Sequence, residues 1–231
     1  MYYAKKSVIL HPIWSITKVN KTIKQHISGE ELANTLTHLF PLVASLFVIK
    51  PLVRLALTDD YYALAGTLIF LLGMIQMFAS STIYHAVQEP SIKARLRILD
   101  HIAIYFMIAG SYSLLCLYVV RGWVGWTLFI FLWSCVAAGI LGKVIALGKY
   151  PNLSLILYLA MGWVALFILK PMWLNMPHEA FWWIVAEGVF YTAGAYFFHG
   201  DEQHKYWHAI WHVFITLGAL SHTIATYLIL L

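Results

Sequence analysis

The chain is a succession of apolar stretches, each about as long as a bilayer is thick. They run over 32–53, 62–85, 98–120, 123–147, 152–174, 179–199 and 205–231. An α-helix needs about 20 apolar residues to cross the hydrocarbon core. Backbone amides in lipid must be satisfied within the segment, as they are in a helix. The expectation is therefore an all-α polytopic membrane protein, a bundle of seven transmembrane helices over residues 32–231. Short connections make sequential helices antiparallel neighbours. The first stretch is the least regular. It carries Asn34, His38, Pro41, Lys50 and Pro51, and its apolar part is confined to Leu39–Ile49.

Composition agrees. Hydrophobic residues make up 61% and charged residues 11%, against about 45–50% and about 25% in soluble domains. An ordinary soluble enzyme, a disordered tail and a fibrous repeat are excluded. The net charge of +5 is explained by lysines flanking the spans and requires no nucleic-acid partner. Cys116 and Cys135 fall inside apolar runs, so no disulfide framework is indicated. Residues 1–31 form a basic segment with Lys5, Lys6, Lys18, Lys21 and Lys24. The segment lacks the long apolar run of a cleaved signal peptide.

Helix parity places eleven of the fifteen Lys and Arg residues on the side of the N-terminus. The positive-inside rule then puts the N-terminus in the cytoplasm and the C-terminus outside. Trp123, Trp126, Trp173, Trp182 and Trp183 fall at the opposite boundary, as interfacial residues do.

Although poor in charge, the chain has eleven His against ten Asp and Glu. Parity gathers several of them at the cytoplasmic end. His208 and His212 lie four apart in His-Ala-Ile-Trp-His, hence on one helix face. His85 ends the second helix at the same level and can supply a third nitrogen. Three protein ligands with one position left open is the pattern of a catalytic zinc site. Asp100, at the start of the third helix, is positioned to partner a metal-bound water or a ligating imidazole. Ser81, one turn before His85, can support the site or polarise a substrate carbonyl. Each residue also has a plainer reading. An isolated His pair is a common helix feature, an acid at a helix start suits the dipole, and a lone serine packs helices. Agreement in side and depth favours the metal.

At these residues the chain resembles the haemolysin III family, the bacterial branch of the progestin and adiponectin receptor superfamily. The resemblance runs from about Gly29 to the C-terminus. It rests on Glu30-Glu31-Leu-Ala-Asn34-Thr-Leu-Thr-His38, Ser81-Thr-Ile-Tyr84-His85 and Arg97-Ile-Leu-Asp100-His101-Ile-Ala-Ile-Tyr105. It continues in Ile108-Ala-Gly110-Ser-Tyr112, Tyr191-Thr-Ala-Gly194 and His208-Ala-Ile-Trp211-His212-Val-Phe214, followed by His222. The resemblance implies a seven-helix fold in the bacterial inner membrane with zinc near the cytoplasmic face. Its Ser-x3-His element falls on Ser81 and His85, its acid on Asp100, and its His-x3-His element on His208 and His212. It further implies a lipid amidase of ceramidase type, or a role in membrane lipid homeostasis.

The leading expectation is a zinc-dependent hydrolase of lipid amide or ester bonds. His85, His208 and His212 bind the metal, while Asp100 and Ser81 act in catalysis. The alternatives are a receptor or regulator with structural zinc, or a pore-forming cytolysin. No span carries the repeated polar stripe that a pore would use. His38 and Asn34 are assigned supporting or packing roles, His101 an interfacial one, and His199 and His204, which flank the last loop, are expected to be solvated. His222 is expected to hydrogen-bond another helix. Glu187, in mid-span, is expected to be protonated or to face a wet cavity.

Overall fold

A computed structural model describes residues 27–146 and 151–231. Most of the basic segment, and with it Lys5, Lys6, Lys18, Lys21 and Lys24, lies outside the described residues. Those residues are all-helical, with seven helices and no strand. The helices are α1 (Gly29–Thr58), α2 (Tyr61–Ala86), α3 (Pro90–Val120), α4 (Gly122–Ala146), a segmented α5, α6 (His178–His199) and α7 (Trp207–Ile229). The α5 rod is built of Pro151–Trp163, a 3₁₀ stretch Val164–Ile168 and Leu169–Asn175. Six of the seven are long and apolar enough to cross a membrane. The exception is α6, whose apolar content is diluted by Glu179, Glu187 and polar aromatics.

Helices extend past the apolar windows that mark them in the sequence. α1 begins at Gly29 rather than 32, because Ser28 accepts a hydrogen bond from the Glu31 N–H at 3.1 Å and caps the end. Glu30 and Glu31 in the first turn favour the same start through the helix dipole. α3 begins at Pro90 rather than 98. Glu89 caps it by accepting from the amides of Ser91 and Ile92, and proline is suited to the first helical position. The chain between α2 and α3 is therefore much shorter than the apolar pattern suggests.

Two local departures shape the core. The last turn of α3, Leu115–Val120, is a π-helix closed by Arg121 in the left-handed region (φ 48°). In α5 the Tyr112 hydroxyl donates to the Gly162 carbonyl and accepts from the Ala165 N–H. That side chain satisfies backbone groups which the tightening at Val164 frees.

α3 is the central helix and the most buried of the spans. It packs on α2, α4 and α5, while α6 lies on α7, and α1 bridges α2 and α7. Glycines permit the closest approach. A Cβ on Gly66 would fall 2.5 Å from Leu114 Cα, and one on Gly73 would fall 2.8 Å from the Phe106 carbonyl oxygen. This arrangement brings the start of α1, the end of α2, the start of α3, the end of α6 and the start of α7 to one end of the bundle. At the other end, Arg121 pairs with Asp60, the cap of α2. Trp123, Trp126, Trp173, Trp182 and Trp183 are all exposed there.

Candidate metal centre

Three imidazoles meet where α2 and α7 converge. Their ring centroids are 5.1 Å (His85–His208), 5.1 Å (His85–His212) and 4.7 Å (His208–His212) apart. One nitrogen from each lies within 4.8 Å of the other two. His85 sits one residue before the end of α2, and His208 lies in the first turn of α7. The start of α7 is fixed by Tyr206, whose left-handed backbone (φ 63°) donates its N–H to Glu30 Oε1 at 3.1 Å. The origin of α1 thus sets where α7 begins, and hence where His208 and His212 stand.

Each ring uses its Nδ1 in a hydrogen bond. His85 Nδ1 meets Glu31 Oε2 at 2.7 Å, and His208 Nδ1 meets Asp201 Oδ2 at 2.6 Å. His212 Nδ1 meets the Asn34 carbonyl at 3.2 Å, with the Thr37 hydroxyl at 3.1 Å. A proton donated from Nδ1 leaves the lone pair on Nε2. The Nε2 atoms of all three rings are buried without a hydrogen-bond partner. Three orphaned acceptors facing one another are costly in a folded protein unless something binds them. Imidazoles oriented through Nδ1 by carboxylates and a carbonyl are the arrangement found around metal ions. His85, His208 and His212 could therefore hold a metal ion.

Asp100 and Ser81 stand beside this centre. Both are buried, and the Ser81 hydroxyl lies next to the Asp100 carboxyl. Asp100 forms no hydrogen bond to the three imidazoles; the carboxylates that orient them are Glu31 and Asp201. Glu31 is itself held by Lys93 Nζ at 3.0 Å. The sequence reading gave neither acid a role, although Glu31 lies in one of the motifs quoted above. His38 is closer to the centre than its helix suggested. Its ring stacks on His212 with centroids 3.7 Å apart, and both of its nitrogens are buried without a hydrogen bond. His101 is half-buried, and its Nδ1 meets the Nζ of the buried Lys143 at 3.0 Å. His204 is exposed and stacks on Trp207.

Two cavities adjoin the centre. A polar one of about 460 Å³ opens at the bundle end and is lined by Glu31, His85, Arg97, Asp201 and His208. An apolar one of about 450 Å³ runs into the bundle from Ser81 and His38 to Phe181 and Trp182. Asp100, Ile104, Leu155, Phe198 and Trp211 line both. Asp100 therefore lies where a polar mouth meets an apolar interior. The volumes suit a small-molecule or lipid-chain site.

Fold and site together define a multi-pass helical membrane protein with a cluster of three histidines, able to hold a metal ion, at one end of its bundle. The haemolysin-III related family pattern matches residues 27–223. Hemolysin-3 of Bacillus cereus is 31% identical over 194 residues, covering 82% of this chain and 87% of that protein. The hemolysin-3 homolog of Bacillus subtilis is 31% identical over 193 residues, covering 83% and 90%. The human monocyte to macrophage differentiation factor is 29% identical over 204 residues, covering 84% and 81%. The chain belongs to the haemolysin-III related family, a multi-pass cell-membrane family akin to the progestin and adiponectin receptors.

Proposed function

We propose that this protein is a zinc-dependent membrane hydrolase that cleaves an amide or ester bond in a lipid. The observation that carries the reading is the position of three unpartnered Nε2 atoms beside the junction of a polar mouth and an apolar cavity. Bound zinc would lower the pKa of a coordinated water to about 7 and make hydroxide available at neutral pH. Three nitrogen donors favour zinc over magnesium or calcium, which take oxygen ligands. Among the described residues no fourth His, Cys, Asp or Glu joins the cluster. That open position favours a catalytic site over a structural one, which would be closed by four ligands.

The chain's own residues divide the remaining work. The apolar cavity takes the acyl chain, and the polar mouth takes the head group. Their shared wall sets the scissile bond beside Asp100 and Ser81. Asp100 accepts and returns the proton of the attacking water, and the Ser81 hydroxyl donates to the substrate carbonyl. Glu31 and Asp201 hold His85 and His208 in the tautomer that presents Nε2. The apolar walls exclude water from all but the reacting position. The test is a metal determination on purified protein, followed by hydrolysis assays over a panel of ceramides, other N-acyl lipids and acyl esters. The reading expects one zinc per chain and turnover of at least one acylated lipid. Stoichiometric zinc with no hydrolysis anywhere in the panel would overturn catalysis.

A further inference from the structure

The polar mouth carries charges that the three histidines do not use. Arg97, Asp100, His101 and Ile104 of α3 all line it, as one helix face does at spacings of three and four residues. Arg97 is the one lysine or arginine among the described residues of that wall. Its side chain is exposed and forms no ion pair or hydrogen bond among the described residues. Several acids of the mouth are already engaged. Glu31 is held by His85 and Lys93, and Asp201 by His208. Glu30 spends Oε1 on the Tyr206 N–H and keeps Oε2 free. Glu202, exposed in the connection before α7, has no partner among the described residues.

A free guanidinium has a specific partner. Its planar fork donates two parallel N–H bonds to a phosphate, each stronger than a bond between neutral groups. Arg97 precedes Asp100 by three residues on α3, about 4.5 Å nearer the bundle end at the α-helical rise. In a glycerophospholipid the phosphate and an acyl carbonyl are only a few bonds apart, a comparable span. With the acyl chain in the apolar cavity and its carbonyl beside Asp100, the phosphate falls at the level of Arg97. The free acids then decide what the phosphate carries. Glu202 and Glu30 Oε2 oppose a second negative charge and attract a positive one. The charges of the mouth therefore match a phosphate with an ammonium beyond it. A neutral head group engages neither kind of charge.

We propose that the polar mouth is the head-group site for a zwitterionic glycerophospholipid, with Arg97 on the phosphate and Glu202 and Glu30 on the ammonium. This rests on the reading of the site as a lipid hydrolase and names its substrate class. The scissile bond belongs to an acyl ester of a phosphate-bearing lipid, in preference to a neutral N-acyl lipid. Arg95 supplies the internal comparison, because it is exposed on the same helix but does not line the mouth.

The test displaces a fluorescent fatty acid from the zinc-loaded, full-length protein in detergent, using three lipids with one oleoyl chain each. Lysophosphatidylethanolamine is zwitterionic, lysophosphatidylglycerol is anionic and monoolein has no phosphate. Wild type is compared with Arg97→Gln, Glu202→Gln and Arg95→Gln. Comparing affinity ratios between proteins cancels the lipids' different partition into micelles. The preference for lysophosphatidylethanolamine over monoolein should fall by about tenfold in Arg97→Gln and hold in Arg95→Gln. Its preference over lysophosphatidylglycerol should fall by about threefold in Glu202→Gln. Monoolein displacing the probe throughout, with the same first ratio in Arg97→Gln as in wild type, would overturn the head-group site and leave the lipid cavity standing. An equal loss in Arg95→Gln would reduce the effect to general surface charge and overturn the site as well. A wild-type preference for lysophosphatidylglycerol would overturn the zwitterionic assignment. Failure of every lipid to displace the probe would overturn the lipid cavity itself, and the head-group site with it.

Discussion

The Glu31 carboxylate accepts the His85 Nδ1 proton across 2.7 Å, joining the first turn of α1 to the end of α2. The bond fixes which nitrogen of His85 is available to a metal. Lys93 from α3 holds the same carboxylate through its other oxygen at 3.0 Å. Three helices thus converge on one ligand's orientation. Glu31→Gln retains size but can no longer fix the tautomer through a charged acceptor. Zinc affinity should fall by about 10–100-fold, with the helical content unchanged. Competition with a chromogenic chelator measures the first and circular dichroism the second. Unchanged affinity would show that Glu31 does not orient a ligand.

Metal binding and turnover separate at Asp100. The aspartate hydrogen-bonds none of the three imidazoles, so Asp100→Asn should keep zinc within a few-fold of wild type. If Asp100 moves the proton of the attacking water, turnover should fall by about 10²–10⁴-fold. His85→Ala and His212→Ala should lose both metal and turnover together. The measurements are zinc content and lipid hydrolysis on the same preparations. An Asp100→Asn protein with full turnover would remove Asp100 from the mechanism.

The contact between α2 and α3 depends on Gly66, where a Cβ would fall 2.5 Å from Leu114 Cα. The obstructing atom is backbone, so relief requires the helices to separate. Gly66→Ala should destabilise the bundle by about 1–3 kcal/mol. Gly142→Ala is the control, because nothing lies within 4 Å of a Cβ there. Thermal unfolding in detergent should show a lowered midpoint for the first variant alone.

The three histidines were legible because two regularities point to them. Spacing four apart puts His208 and His212 on one face, and helix parity brings His85 to their level. The acids that orient them were not. Asp100 is nearer to His85 in sequence and stands at the start of an apolar window, which made it the expected partner of the site, although the helix itself begins at Pro90. Glu31 is 54 positions from His85, and Asp201 lies in the connection before α7. Their meeting depends on where α1 and α7 begin, which is decided by the Ser28 cap and the Glu30–Tyr206 hydrogen bond and not by the apolar windows. The tightened stretch of α5 was hidden for a similar reason. No proline marks Val164–Ile168; the cause is the Tyr112 hydroxyl, reaching across from α3.

If α6 spans together with the six other helices, the two termini lie on opposite sides of the membrane, and lysine and arginine bias decides which side is which. Eleven of the fifteen basic residues fall on the side of the N-terminus, so the metal centre should open toward the cytoplasm. The helix on which this count turns is α6, which is less apolar than the other six. It nevertheless packs along α7 and contributes Glu187 to the interior, as a spanning helix with one inward polar face would. A reporter active only in the cytoplasm should therefore signal when fused at the N-terminus or in the connection after Ala86. It should be silent after Leu231 or between α5 and α6. Signals from both termini would reduce the spans to an even number and return α6 to the membrane surface.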